Sequence, residues 1–134
     1  MPTITVMDTE DVSLWFHLES KIVHHKIRRF LPPGVFQKVL TSGAEYLEKQ
    51  KAKKWLSDDR DNTVVRQEDA DWGTTVWAPR VIDAGFRYWA IVMPTKAIGR
   101  MQMRKFTEEY AARGVEVRVF ENVEEAKAWL ESVD

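Results

Sequence analysis

The sequence predicts an α/β fold: one mixed sheet with antiparallel strands first, then βα units, covered by four main helices. Three observations carry this. Val12, Leu14, Phe16 and Leu18 alternate with Ser13, Trp15, His17 and Glu19, the period of a strand with one buried face. Residues 88–93 (Tyr-Trp-Ala-Ile-Val-Met) are apolar on both faces, as in a parallel strand covered by helices. The segments between the later strands carry helical spacing, so those strands must run parallel through right-handed crossovers. The 134 residues hold no linker, repeat or low-complexity tract, which predicts a single domain over 1–134.

Each element follows in order. Val23, His25 and Ile27 resume an alternation after Glu19 and Ser20, which predicts a hairpin with His17 opposite Ile22. Leu31-Pro32-Pro33-Gly34 stops that strand, since two prolines cannot donate to a ladder. Phe36, Val39, Leu40, Gly43 and Leu47 then share one helical face. Residues 52–57 read as a short strand and 57–62 as a polar loop. Residues 68–84 are helical up to Gly85, with a kink expected at Pro79. Thr95 is placed to cap a helix over 96–113, and Gly114 ends it. Val115, Val117 and Val119 form a half-exposed strand. Asn122 and Glu125 open the last helix as a capping box, with Val123, Ala126, Leu130 and Val133 as its apolar face. The order is ββ(β)αβαβαβα, a third N-terminal strand being left open.

Composition narrows function. There is no cysteine, so disulfide, thiolate and zinc-ribbon chemistry are absent. Twenty Lys and Arg against twenty-one Asp and Glu leave a net charge of −1, which argues against nucleic acid as the main partner. No apolar run approaches the ~18 residues of a membrane span. The first residues show neither a basic leader nor an apolar stretch, and the expectation is a cytoplasmic protein.

Lys54-Trp55-Leu56-Ser57-Asp58-Asp59-Arg60, Arg87-Tyr88-Trp89-Ala90-Ile91-Val92, Glu108-Glu109-Tyr110, Gly114-Val115 and Val119-Phe120 resemble the STAS/SpoIIAA-like family, in particular small bacterial STAS-like proteins. The resemblance runs from about Val12 onward and implies a regulatory or binding module. In anti-sigma-factor antagonists of this fold, a serine after a central strand is phosphorylated, and Ser57 holds a comparable place. The Asp-Ser-Ser-Gly type of motif is missing, however. A phosphate beside Asp58 and Asp59 would also meet like charge.

Several residues are candidates for function. Ser57, Asp58, Asp59, Arg60 and Asn62 gather where an open α/β sheet binds ligands, beyond the carboxyl end of a strand. The plainer reading is a solvated turn in which Asp58 or Asp61 caps backbone and Arg60 pairs with a carboxylate. His17 and His24 share a face, with Glu19 as the one nearby third ligand, whereas His25 points the other way. Half-exposed strand residues are the simpler account, and neither a metal nor a cofactor is assigned. Trp72 and Trp77 lie about 140° apart on an ideal helix, so they line a pocket or interface only from different sides. Gly99, Met103, Phe106 and Tyr110 form one stripe of their helix; Ile98 and Met101 fall elsewhere, either in a homodimer contact or beneath the C-terminal helix. No Gly-x-Ser-x-Gly elbow, phosphate loop or His-Glu-x-x-His occurs. The reading is a non-enzymatic regulatory or binding module acting through an unknown protein partner, self-association or a small ligand. The alternatives are a carrier of an apolar ligand or lipid, or a small enzyme using Asp58, Asp59 or His24 as acid–base groups.

Overall fold

Alternation in the first third forms three strands, the third being N-terminal: β1 (Thr3–Asp8), β2 (Val12–His17) and β3 (Ile22–Ile27), each antiparallel to the next. The computed structural model describes residues 2–62 and 64–134. His17 lies opposite Ile22, as the hairpin reading requires. A bulge between Thr5 and Met7 interrupts the edge strand, a common device for blunting an exposed ladder.

From β3 the sheet becomes parallel. Helix α1 (Val35–Gln50) leads to β4 (Lys54–Asp58); α2 (Gln67–Trp72) and α3 (Ala78–Asp83) lead to β5 (Tyr88–Val92); α4 (Ala97–Ala112) leads to β6 (Glu116–Phe120); and α5 (Val123–Ser132) follows. The spatial order is β1-β2-β3-β4-β5-β6, so a single mixed α/β sheet results, with α2 and α3 acting as one of the four main helical segments.

The crossover helices supply one core with Leu14, Phe16, Val23, Trp55, Trp89 and Ile91. On the opposite face α5 buries Ala126 and Leu130 against Ile22, Leu56, Ala90 and Val92. Asn122 caps α5 by accepting from the Glu125 N–H at 2.9 Å. Among the described residues, no helix is long and apolar enough to cross a membrane.

Three local expectations need correction. The break expected at Pro79 lies upstream, as a π turn over Gly73–Trp77 that joins α2 to α3 without a gap. Proline lacks an N–H and its ring crowds the carbonyl four residues back, and a widened turn relieves both problems. Thr95 does not cap α4; Lys96 stands at that position without a side-chain cap, while the Thr95 N–H donates to the Arg60 carbonyl at 3.3 Å. The C-terminal helix does not cover Ile98 and Met101, because it packs on the other face of the sheet.

Close approach of α1 to the sheet depends on Gly43, since a Cβ there would collide with the Trp55 ring and press on Val23. Gly43→Ala is expected to cost about 1–3 kcal/mol through overpacking, outweighing the gain in helix propensity of roughly 1 kcal/mol. Urea denaturation of the two proteins checks this.

Candidate functional site

Parity of the strands sorts the candidate residues onto two faces. In β4, Trp55 and Ser57 point toward the crossover helices, and Leu56 and Asp58 toward the α5 side. β3 lies beside β4 with Val23 paired to Trp55 and His25 to Ser57, so His25 shares the helix-covered face. The ladder runs on past Asp58, with the Asp59 N–H donating to the Val92 carbonyl at 3.0 Å. This returns the Asp59 side chain to the face of His25.

The result is a buried chain of hydrogen bonds. Trp55 Nε1–H donates to His25 Nδ1 at 3.0 Å. An indole nitrogen can only donate, so Nδ1 must carry a lone pair. Nε2 therefore holds the proton, and donates it to Asp59 Oδ1 at 2.8 Å. Beside this chain, Trp89 Nε1–H donates to Ser57 Oγ at 2.8 Å, and Trp77 Nε1–H to the Leu40 carbonyl at 2.6 Å. Trp77 stands edge-on to Trp55, with ring centroids 5.2 Å apart.

These groups wall a cavity of about 60 Å³ between the helices and the face of β3, β4 and β5. Phe36 and Leu40 of α1, Ala70 of α2, and Met103 and Tyr110 of α4 complete it, with Asn62 and Asp69 also in the lining. Its surface is almost wholly carbon. The π turn contributes Gly73 and Trp77, and Tyr110 braces that turn by donating its hydroxyl to the Gly73 carbonyl at 3.1 Å. Burial pushes the Tyr110 hydroxyl pKa up, outweighing the opposing charge of Arg113, so it remains a donor.

The solvated-turn reading of residues 57–62 is thus corrected. Ser57 and Asp58 are 2% exposed, Asp59 3% and Asn62 6%; Ser57 and Asp58 belong to the strand itself, which runs one residue beyond the expected end. Ser57 is not presented to a kinase, being buried and held by Trp89. Asp58 takes no part in the cavity. Burial alone would raise its pKa, but Arg60, at 2.9 and 2.8 Å, together with Lys26 holds it below the usual carboxylate range. The pairing of Arg60 with a carboxylate is as expected. Trp72 is half-buried against the core and outside the cavity lining. Ile98 and Met101 are 65% and 61% exposed, and border a shallow groove between α2 and α4.

Comparison with family models, with curated proteins and with solved structures finds no match to this chain. The His25–Asp59 pair is the feature that sequence reasoning missed. Its one advance signal was the parity that turned His25 away from His17 and His24.

On the α5 side, His17 Nε2 and His24 Nδ1 are 3.1 Å apart and share a proton, with His17 Nδ1 against Thr3 Oγ1 at 3.1 Å. Among the described residues, no cluster of three metal-binding side chains occurs, and Glu19 is exposed. His24 is 9% exposed and its Nε2 is buried without a partner. Burial, reinforced by His17, His25 and Lys127 and only partly offset by Asp58, lowers its pKa to about 3. Burial and Lys127, partly offset by Glu131, also lower that of His17.

The unfolded chain takes up a proton at His24 near pH 6.5 and the folded chain does not. Folding stability therefore falls as pH drops from about 6.5 toward 3, by up to roughly 1.4 kcal/mol per unit from this group. The difference in urea midpoint between pH 7 and pH 5 should shrink in His24→Gln.

Proposed function

We propose that this chain is a STAS-like, non-enzymatic binding module of the cytoplasm whose ligand occupies the cavity walled by Trp55, Trp77, Trp89 and His25. The antiparallel start, the parallel βα units and the C-terminal helix support the family reading. The observation that carries the functional one is the cavity itself. It holds three of the loop residues singled out from the sequence, Ser57, Asp59 and Asn62, together with Trp77, and is concave and mostly apolar as small-molecule sites are.

The hydrogen bonds of His25 and Ser57 speak against acid–base work by these two side chains. A general base needs a free lone pair within reach of the substrate, yet the Nδ1 lone pair of His25 faces the Trp55 N–H and its other nitrogen donates to Asp59. Ser57 Oγ accepts from Trp89 and has no histidine partner among the described residues. A second reading, docking of a protein partner, rests on the exposure of Ile98 and Met101 and is compatible with the first.

Xenon tests the cavity without assuming a ligand, because it enters dry apolar voids. Xenon should shift the indole N–H resonances of Trp55, Trp77 and Trp89. Ala70→Leu, which adds bulk to the wall, should remove those shifts and raise stability by about 0.5–2 kcal/mol through cavity filling. Shifts of equal size in both proteins would refute the assignment.

A further inference from the structure

We infer that the cavity selects a small neutral molecule, largely hydrocarbon, and rejects anions and cations of the same size. This rests on the proposed binding role and names the class of ligand.

Charge in the lining is of one sign. Asp59 and Asp69 are the only charged residues in the lining among the described residues, and neither lysine nor arginine accompanies them. Both are buried, at 3% and 4% exposure. Neutral donors hold both: His25 through Nε2–H at 2.8 Å, and Gln37 through its amide at 3.0 Å. A carboxylate or phosphate entering the cavity would therefore meet two like charges and no counter-cation, in surroundings where charge is poorly screened.

A cation fares little better. The cavity surface is almost all carbon, so an ammonium would lose its hydration without gaining equivalent hydrogen bonds. One polar group can be accommodated. Asn62 belongs to the lining while 6% exposed, and its side-chain amide has no hydrogen-bond partner among the described residues. It is placed to meet a hydroxyl or carbonyl.

Size narrows the class further. A volume of about 60 Å³ falls below the roughly 150 Å³ that takes up benzene. The occupant has a few heavy atoms, which excludes a lipid acyl chain in this arrangement of helices. Affinity for such a molecule is weak, because a tiny ligand gains at best roughly 1.5 kcal/mol per heavy atom.

The test titrates propan-1-ol, propylammonium and propionate into the protein, with xenon as the uncharged reference, following the Trp55, Trp77 and Trp89 indole N–H resonances. Xenon and propan-1-ol are expected to shift them. The two ions should bind at least about tenfold more weakly than the alcohol, given the charge and desolvation costs. Asp69→Asn, which keeps an acceptor for Gln37, should improve propionate relative to propan-1-ol. Propionate or propylammonium binding as tightly as the alcohol would overturn the selectivity while leaving the cavity a binding site. An unchanged propionate-to-alcohol ratio in Asp69→Asn would also contradict the charge argument. Silence from every probe, xenon included, would overturn the binding role itself and the selectivity with it.

Discussion

Trp55 joins the parts of this molecule that bear on function. Its ring fits against α1 because residue 43 is glycine, and its edge contact with Trp77 positions the π turn. Its N–H meets His25 Nδ1 and leaves only one nitrogen of that ring to carry a proton. That proton holds Asp59, whose own N–H binds the Val92 carbonyl of the next strand. One indole thus connects α1, β3, β4, the following loop and β5. A buried polar chain of this kind is favourable only when each member is satisfied, and here each link supplies what the next requires.

The two faces of the sheet put neighbouring residues to different uses. Ser57 and Asp59 belong to the cavity side, whereas Asp58 between them turns to the α5 side and binds Arg60. His24 and His25 divide in the same way. His25 is satisfied at both nitrogens, while His24 shares one proton with His17 and buries its remaining nitrogen without a partner. Adjacent residues of like chemistry therefore take opposite roles, fixed by the two-residue period of the strand. The helical layer also leaves Ile98 and Met101 in solvent, because α5 returns on the far face of the sheet.

Much of the architecture was legible from local signals. The alternation around Val12–His17, the doubly apolar Tyr88–Val92 segment and the Asn122 cap each depend on residues within a few positions of one another. The stripe of Gly99, Met103 and Tyr110 was legible for the same reason and is buried. The polar chain was not, because His25 and Asp59 are 34 residues apart and meet only once β3 and β4 align in parallel. Asp58-Asp59-Arg60-Asp61-Asn62 has the composition of a solvated turn, and composition does not reveal that a histidine waits beneath it. The π turn escaped notice because the proline signal marks a disturbance without saying on which side the helix adjusts.

The tautomer of His25 tests this account most directly. Long-range proton–nitrogen correlation spectra at neutral pH should show Nε2 protonated and Nδ1 bare, with that preference weakened in Trp55→Phe. A proton on Nδ1, or an imidazolium with both nitrogens protonated, would mean that the indole does not govern the pair, and the chain from α1 to β5 would have to be redrawn.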